Sequence, residues 1–391
     1  MNVVGLFAGI GGIELGLERA GGFDTTLLCE SWDPARRVLA AQFDRDEADI
    51  HDDVATLSAL PVGTEVLTAG FPCTDLSQAG RTAGIRGEHS GLVSHVFRLL
   101  QDASAAGRAP TWLVIENVPN MLQLDKGNAM RFLVSEIENL GMRWAYRVVD
   151  ARFTGLPQRR RRVVLVASAV EDPREVLFVD DAGERPVEDY RADAFGFYWT
   201  EGRGGLGWAQ DAVPTLKGGS TIGIPSPPGV WMPSQAEERR FVMPALEDAE
   251  AMQGFARGWT EPADTGSRNG PRWKLIGNAV PVDVADWLGR RLAIPGSFPD
   301  TGELWDGPRS WPTAAYGSDG KIWQVDISEF PEHQPYRHLS DMLSLDDVRP
   351  LSHRGITGFW SRLQRGNLGQ FPGFREAVAA HVAVTHPDRV A

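Results

Sequence analysis

The sequence predicts a doubly wound α/β fold built on a mainly parallel β-sheet. Over the first 168 residues, apolar strand-like runs alternate with amphipathic helix-like segments, which is the pattern of consecutive βα units. The strand-like runs are NVVGLF, TTLLCE, EVLTAG, WLVIEN, WAYRVVD and RVVLVAS, and helix-like segments such as GIELGLERAG, DPARRVLAAQF and MRFLVSEIENLG lie between them. In such a fold, ligands bind at the carboxyl ends of the strands.

Three further parts follow this first domain, which we assign to residues 1–169. Over 170–270, glycines, prolines and tryptophans interrupt short apolar runs and predict a small loop-rich domain. Periodicity returns over 271–294, which predicts a helix that packs back on the first domain. One face of that helix can carry Val280, Val284, Trp287, Leu288 and Leu292. Residues 295–391 predict an appended module of unknown role, which could brace the first domain, extend a binding cleft or bind a protein partner.

Composition and charge narrow the class of protein. The 391 residues contain two cysteines and no cluster with zinc-ligand spacing, so we expect free thiols, no metal site and a reducing, cytoplasmic location. We expect no signal peptide and no membrane partner, since no apolar run approaches the ~20 residues of a spanning helix. A net charge of −13 argues against a polyanionic partner. However, charge acts over a Debye length of ~8 Å, so the basic run QRRRR at 158–162 could line a local cleft.

A glycine-rich turn after the first strand indicates a cofactor site. Gly9, Gly11 and Gly12 precede a helix and let the backbone come close to a ligand at the helix N-terminus. Glu14 stands where the G-x-G-x-x-G dinucleotide fingerprint has its third glycine, so a pyrophosphate on this helix is disfavoured. A purely structural strand-helix turn is the alternative interpretation.

The next strand ends carry acids and an aromatic ring. Glu30 and Trp32 follow the second strand and Asp53 follows the third, where acids can accept from hydroxyls or an amine and an indole can stack on a base. Taken singly, each is better explained as a solvated acid or a core tryptophan. In order at strand ends, they favour a ribonucleoside cofactor without a phosphate tail, which is S-adenosylmethionine.

Cys73 follows Pro72 in the loop GFPCTDLSQAG, between a strand and a helix. A thiolate is a nucleophile and a neutral thiol is not, so a reactive cysteine needs a partly exposed, electropositive site. A single cysteine is more often a small buried hydrophobe, which is the role we expect for Cys29. The groups at the neighbouring strand ends favour a reactive role for Cys73.

Those groups are an acid and several arginines. Glu116 and Asn117 end the strand WLVIEN, where a carboxylic acid can meet a ring nitrogen and an amine. In QRRRR, strand alternation predicts that Arg160 and Arg162 point to one face and Arg159 and Arg161 to the other. A satisfied strand-end acid and a solvated basic run are the alternative interpretations.

In order, these motifs resemble those of the bacterial cytosine-5 DNA methyltransferases. The matching segments are LFAGIGGIELGL, ESWDP, GFPCTDLSQAG, ENVP, GLPQRRRRVVLV, AMQGF and IGNAVPVDVADWL, which span residues 3 to about 292. The resemblance implies a Rossmann-like sheet that binds S-adenosylmethionine, a target-recognition domain and a C-terminal extension. It also implies a catalytic set of Cys73 as nucleophile, Glu116 as acid, and Arg160 and Arg162 as assisting groups.

The resemblance further implies cofactor and DNA contacts. The cofactor contacts fall on Phe7, Ala8, Gly9, Gly11, Gly12, Glu30, Trp32, Asp53, Pro72, Leu92, Asn278, Ala279 and Val280. The DNA contacts fall on Ser77, Arg81, Asn117, Thr215, Leu216 and Lys217, of which the last three equally suit a simple glycine-rich turn. The implied reaction adds a thiolate to carbon 6 of an everted cytosine, methylates carbon 5 and leaves S-adenosylhomocysteine.

Three functions are compatible with these motifs. The first is a prokaryotic DNA methyltransferase of a restriction-modification or other phage-defence system, which acts as a monomer on double-stranded DNA. The second is an RNA cytosine methyltransferase of the tRNA-modifying type, which the Ser77 loop and the length of the recognition region disfavour. The third is a non-catalytic DNA-binding scaffold, which intact Cys73, Glu116 and Arg160 disfavour. Departures from the family pattern, such as TDLS after Cys73, affect the loop expected to cover the base.

Overall fold

The chain folds around one large β-sheet and one smaller β-sheet. The computed structural model describes residues 1–43, 48–72, 91–201, 205–218, 227–266, 270–299, 301–307 and 310–385. The predicted residues Cys73, Ser77 and Arg81 lie outside these ranges. Within them, none of the helices has the length and apolar character that crossing a bilayer requires.

The strands, in chain order, are β1 Asn2–Leu6, β2 Asp24–Cys29, β3 Asp49–His51, β4 Thr64–Ala69, β5 Trp112–Asn117, β6 Arg143–Asp150, β7 Gln158–Arg159, β8 Arg161–Ser168, β9 Phe195–Glu201, β10 Gly205–Gln210, β11 Val213–Pro214, β12 Gly229–Trp231, β13 Phe241–Met243, β14 Glu303–Leu304, β15 Ala314–Ser318, β16 Lys321–Gln324 and β17 Arg349–Pro350. The α-helices are α1 Gly12–Ala20, α2 Asp33–Gln42, α3 Leu92–Ala105, α4 Asn128–Asn139, α5 Arg174–Leu177, α6 Leu246–Ala251, α7 Arg272–Asn278, α8 Val282–Ala293, α9 Leu339–Met342, α10 His353–Arg365 and α11 Phe374–Val384.

The large sheet combines a parallel half with an antiparallel half. Among the described residues its order is β14-β16-β15-β6-β8-β5-β4-β1-β2-β3, and the strands from β3 to β5 are parallel. β8 runs antiparallel to both β5 and β6. The reason is visible in the sequence, because the link from β6 to β8 contains no crossover helix long enough to return the chain to the same end of the sheet.

Helices cover both faces of this sheet, as a doubly wound fold requires. On one face, apolar residues of α3 and α4 pack on β1, β4, β5 and β6. On the other face, α1 and α8 pack on the same sheet, with Val284, Trp287, Leu288 and Leu292 all buried. The late helix therefore packs against the first one, although about 270 residues separate them in the chain.

Glycines allow α1 and α8 to approach closely. A Cβ atom on Gly16 would lie 2.4 Å from the Val282 carbonyl oxygen and 2.4 Å from the Ala285 Cβ. A Cβ on Gly289 would lie 2.7 Å from the Ala20 Cβ. Both sides of the contact thus lack side chains at the crossing point, which sets the distance between the two helices.

The segment 271–294 forms two helices, where the sequence predicted one. Ala279 is extended, with φ −62° and ψ 152°, and Pro281 precedes α8. Proline has no N–H to donate to a helix ladder and disfavours the α conformation in the residue before it, so α7 ends at Asn278. The break places the backbone of residues 278–280 at the edge of the large sheet.

Residues 295–391 contribute to both sheets. β15 pairs with β6 and so extends the large sheet beyond the first domain. The smaller sheet has the order β10-β9-β12-β13-β17 among the described residues, with β17 supplied by the C-terminal segment. Helices α10 and α11 then cover one face of it through Ile356, Phe359, Leu363 and Phe374. The segment predicted as a module of unknown role therefore packs against both the first domain and the loop-rich domain.

The Gly16 contact predicts a stability difference between two glycine variants. Gly16→Ala should lower the free energy of unfolding by roughly 1–3 kcal/mol, since the new methyl group meets backbone atoms that cannot turn aside. Gly358→Ala is the matched control, because Gly358 lies within α10 and a Cβ there has no heavy atom within 4 Å. The control should gain up to ~1 kcal/mol. Chemical denaturation of both variants tests this, and equal midpoints would contradict the contact.

Candidate active site

The candidate site lies where several strand ends meet. The carboxyl ends of β1, β4 and β5 are neighbours in the large sheet, and the start of β8 lies beside the end of β5, with Glu116 opposite Val164. Chain crossovers diverge to either side of β1 and β4, which leaves a crevice at this edge. A cavity there is lined by Leu6, Phe7, Ala8, Gly9, Gly12, Ile13, Glu14, Gly70, Glu116, Asn278, Ala279 and Val280.

The glycine-rich turn after β1 exposes its backbone to this cavity. Phe7, Gly9 and Gly11 all have positive φ angles, of 58°, 59° and 80°. For Phe7 this conformation is unusual, and such backbone strain concentrates at functional sites. A Cβ on Gly9 would have no heavy atom within 4 Å, so the space above this residue is open. The turn is thus shaped to let a ligand approach the main chain.

Glu30 holds the turn in place. Its Oε2 accepts from the Gly9 amide at 2.9 Å and its Oε1 accepts from the Trp32 amide at 2.7 Å. An ionised carboxylate has about four acceptor positions, so Glu30 can accept from a ligand hydroxyl as well. Trp32 is half-buried, and the Lys274 ammonium lies 4.6 Å from its ring centroid, a cation–π contact.

The predicted cofactor residues that do not line the cavity are Gly11, Glu30, Trp32, Asp53, Pro72 and Leu92. Asp53 is exposed after β3, and its Oδ1 accepts from the Ala55 amide at 2.9 Å. Pro72 is exposed at the last described position before Cys73, and Leu92 is half-buried as the first residue of α3. The structure therefore brings seven of the thirteen predicted cofactor residues to the lining of one cavity.

Glu116 and Arg162 form an ion pair at the end of β5. Arg162 Nε lies 2.8 Å from Glu116 Oε1, although the angle is too poor for a hydrogen bond, so this oxygen lacks a well-aligned donor. Burial raises the pKa of Glu116 above its ordinary 4.5, and the charges of Arg162 and Arg160 only partly oppose this. The carboxyl group therefore holds a proton more readily than a solvated acid, which suits proton donation.

Arg160 is fully buried and donates hydrogen bonds to main-chain carbonyls. Its Nη1 donates to the Leu216 carbonyl at 3.1 Å, and its Nη2 donates to the carbonyls of Gly277 at 3.1 Å and Ala279 at 2.6 Å. These carbonyls belong to the loop after β11, to the last turn of α7 and to the residue that follows α7. In its described contacts Arg160 is a positioning residue, since it joins both segments to the start of β8.

Asn117 is also buried and links two strand ends. Its Nδ2 donates to the Phe71 carbonyl at 3.0 Å, and its Oδ1 accepts from the Val118 amide at 2.9 Å. Phe71 lies two residues before Cys73 in the chain. The contact expected for Asn117 was with DNA, whereas its side chain lies inside the protein and holds the end of β4 against that of β5.

The predicted DNA contacts in the recognition region have distinct surroundings. Leu216, expected at the DNA surface, is instead buried in the core, and its amide donates to Gln158 Oε1 at 3.1 Å. Thr215 Oγ1 donates to the Arg159 carbonyl at 2.8 Å. Lys217 places its ammonium 4.1 Å from the centroid of the Tyr198 ring. Thr215 and Leu216 therefore hold this loop against β7, which immediately precedes Arg160.

Glu14 is a cavity residue that the sequence analysis used only to exclude a pyrophosphate. Its carboxyl group is fully buried, Oε1 accepts from Thr68 Oγ1 at 2.7 Å, and Oε2 has no hydrogen-bond partner among the described residues. Burial raises the pKa of Glu14 to about 7, although the Thr68 hydrogen bond lowers it in part. The available signal was its position between Ile13 and Leu17 on the buried face of α1.

Cys29 lies in the core. It is 2% exposed at the end of β2, and burial, with the charges of Glu30 and Asp53, raises its thiol pKa to about 12. At neutral pH it is therefore a neutral thiol and a poor nucleophile.

Comparison with solved structures identifies proteins that share this fold. Solved structures with the same fold include the Dnmt2 methyltransferase of S. pombe, with a TM-score of 0.54, 15% identity, and coverage of 75% of this chain and 98% of that one. The Entamoeba histolytica methyltransferase EhMeth aligns with a TM-score of 0.51, 15% identity and the same coverage. The chain thus shares the fold of these methyltransferases.

Sequence comparison defines the family. The model of the C-5 cytosine-specific DNA methylases matches residues 1–191. The type II methyltransferase M2.BsuMI of Bacillus subtilis (strain 168) is 44% identical over 375 residues, which cover 93% of this chain and 94% of that protein. M.BsuFI, a type II methyltransferase of Bacillus subtilis, is 33% identical over 168 residues, or 42% of this chain and 39% of that protein. The chain belongs to the C-5 cytosine-specific DNA methylase family.

The buried Glu14 predicts a pH-dependent stability. Because its pKa is about 7 in the folded chain and 4.5 ordinarily, the native state keeps a proton that the unfolded state loses between these values. The free energy of unfolding should therefore fall as pH rises from 4.5 to 7, by about 3 kcal/mol from this group. Glu14→Gln should flatten the profile in this window, whereas Glu238→Gln, at an exposed position, should not. Denaturant unfolding at several pH values measures this, and parallel profiles for wild type and Glu14→Gln would contradict it.

Proposed function

We propose that the chain transfers a methyl group from S-adenosylmethionine to carbon 5 of a cytosine in double-stranded DNA. The observation that carries the proposal is the buried ion pair of Glu116 and Arg162, 2.8 Å apart, on the cavity that the glycine-rich turn lines. Asn117 ties this strand end to Phe71, the residue before Pro72 and Cys73. The acid and the glycine-rich turn thus lie at adjoining strand ends, next to the residues that lead into Cys73 in the chain.

The cavity suits this cofactor, which supplies an electrophilic methyl group when bound. The open space above Gly9 and the positive φ angles of the turn admit a ligand close to the backbone. Glu30 has acceptor capacity for ribose hydroxyls, and Trp32 offers an aromatic face. Asn278 and Val280 form the opposite wall. We assign these residues to cofactor binding, with Asp53 as an acceptor for an exocyclic amine.

The catalytic roles follow from the chemistry of cytosine. Carbon 5 is too electron-poor to attack a methyl sulfonium directly. Addition of the Cys73 thiolate to carbon 6 forms an S–C bond and moves the electron pair of the ring double bond to carbon 5, while Glu116 supplies a proton or hydrogen bond at N3. Carbon 5 then acts as the nucleophile toward the methyl group. Loss of the carbon 5 proton restores the double bond and returns the electron pair of the S–C bond to Cys73.

The buried acid and its arginine fit this sequence of steps. The raised pKa of Glu116 keeps the carboxyl group protonated more readily, and protonated is the form that donates to N3. Arg162 stabilises the carboxylate that remains after donation. Since carbon 6 is stacked inside the duplex, the cytosine must rotate out into the cavity, at a cost of a few kcal/mol.

The biological setting follows from the relatives. Both M2.BsuMI and M.BsuFI bear the name type II methyltransferase. We propose that this chain likewise marks cytosines in host DNA as the modification half of a type II restriction-modification system.

Methyl transfer is tested directly with labelled S-adenosylmethionine. Wild-type protein should label duplex DNA, and bisulfite sequencing of that DNA identifies the methylated site. Cys73→Ser should reduce transfer by a factor of 10³ or more because the hydroxyl is a far weaker nucleophile, while cofactor affinity by calorimetry stays unchanged. Label on tRNA alone, or on neither substrate, would refute the proposed function. Full activity of Cys73→Ser would refute the covalent step.

The two arginines should have separable effects. Arg160→Lys removes the guanidinium group that donates to three carbonyls. We expect this change to lower the free energy of unfolding by roughly 2–3 kcal/mol. Arg162→Lys keeps a cation beside Glu116, and we expect a lower kcat with little change in unfolding. Thermal unfolding and steady-state kinetics on both variants test this. Equal unfolding midpoints for the two would rule out the positioning role of Arg160.

A further inference from the structure

The C-terminal part of the chain contains a strongly basic segment. Residues 349–375 carry five arginines and no aspartate or glutamate, although the whole chain has 39 basic and 52 acidic residues. These arginines are Arg349, Arg354, Arg362, Arg365 and Arg375. The segment includes β17 and α10, which belong to the smaller sheet and its covering helices. Its charge is therefore opposite in sign to that of the protein as a whole.

Helix α10 separates an apolar face from a basic one. Ile356, Phe359 and Leu363 are buried, and Phe359 stacks on Phe197 of β9 with ring centroids 5.2 Å apart. Residues at i, i+4, i+7 and i+11 lie on one side of a helix, and here they form an outward-facing set. This set, which we call the α10 stripe, consists of Arg354, Gly358, Ser361 and Arg365.

The stripe arginines are available for a partner. Arg354 and Arg365 are exposed, and neither has an acidic partner among the described residues. An ideal helix separates them by about 16 Å, so their guanidinium groups can contact different phosphates of a duplex. Arg362, which lies next to this stripe, donates instead to the carbonyls of Trp199 and Gly205 and so fixes α10 to the end of the β9–β10 hairpin.

Two exposed glycines lie on or beside the stripe without a packing role. A Cβ on Gly358 would have no heavy atom within 4 Å, and one on Gly355 would meet only Ser352 Oγ at 3.4 Å. Each glycine inside a helix costs about 1 kcal/mol relative to alanine. The absence of side chains here leaves the helix backbone open to close approach from outside.

The position of α10 connects it to the recognition region. It packs on β9 through Phe197 and Trp199, and between these two residues Tyr198 lies under the Lys217 ammonium. Because side chains alternate along a strand, Lys217 and α10 lie on opposite faces of the same hairpin, and Arg362 holds α10 to the end of that hairpin.

We propose that the α10 stripe is a second contact to the DNA phosphate backbone, outside the recognition region, and that it anchors the duplex through Arg354 and Arg365. This inference rests on the proposed function, since it takes double-stranded DNA as the substrate. The contact is independent of sequence, because guanidinium groups that pair with phosphates read no base edge. It gives an acidic enzyme a local basic surface on which to hold its substrate.

The salt dependence of DNA affinity tests the proposal. The probe is a fluorescent duplex of about three helical turns, ~30 base pairs, titrated by anisotropy at several NaCl concentrations. The double variant Arg354→Ala/Arg365→Ala should bind more weakly, and the slope of log affinity against log salt should become shallower by about 2, since each lost phosphate contact removes ~0.9. Arg354→Lys/Arg365→Lys keeps both charges and should retain the wild-type slope. At saturating DNA and low salt, all variants should keep the wild-type kcat.

The matched control removes the same charge elsewhere. Arg108 and Lys321 are exposed near the edge of the large sheet opposite the candidate site, so Arg108→Ala/Lys321→Ala should leave the slope unchanged. An unchanged slope in Arg354→Ala/Arg365→Ala, with wild type binding and methylating DNA, would overturn the α10 contact and leave the proposed function intact. An equal loss in the control would also overturn it, because net charge alone would then explain the effect. Failure of wild type to bind any duplex would instead refute the proposed function.

Discussion

The guanidinium group of Arg160 joins the three parts of the chain on which the candidate site depends. It lies just before β8, beside Glu116 and Arg162, and donates to the carbonyl of Leu216, to that of Gly277 in the last turn of α7 and to that of Ala279 between α7 and α8. A buried cation is costly unless its donors find partners, and both terminal nitrogens of Arg160 find them only in this arrangement, which therefore favours one relative position of the three segments. Residues 278–280 and Glu116 are thereby held on the same cavity.

A second constraint on the backbone that leads into α8 comes from its packing against α1. Gly12 and Gly16 of α1 allow the carbonyls of Val280 and Val282 to come within contact distance of the first helix. The residues that continue into α8 are thus held on both sides, by backbone-to-glycine contacts at α1 and by the Arg160 fork at β8. Because α1 also begins at the glycine-rich turn, the two walls of the cofactor cavity are placed relative to each other by close packing as well as by hydrogen bonds.

The sequence predicted the fold best where apolar runs identified strands and the order of those strands in the chain indicated which of their ends meet. The apolar runs that end in Glu30 and Glu116 predicted strands whose ends meet, because parallel strands put their carboxyl ends on one edge. The arginine run precedes β8 and reaches the same edge because β8 runs antiparallel to β5. It could not separate residues that contact a ligand from those that hold the site together. Asn117 and Leu216 lie in motifs typical of DNA contacts, yet their burial depends on carbonyls and side chains distant in the chain. The sequence did not predict the antiparallel strands β15 and β17 for the same reason. Short strands acquire their partners only in the folded protein.

The overall acidity of the chain and its DNA substrate are compatible because charge is distributed unevenly over the fold. Many arginines of the described chain are neutralised by nearby carboxylates, as in the pairs of Arg152 with Asp150 and Arg174 with Asp172. Such pairs present little net field to a distant polyanion. Uncompensated cations therefore matter more than the total, and α10 concentrates them on a face with no acidic side chain of its own. A body that repels DNA elsewhere would then favour the one orientation in which the duplex lies along the basic surfaces, so the acidity contributes to orientation while the arginines contribute affinity.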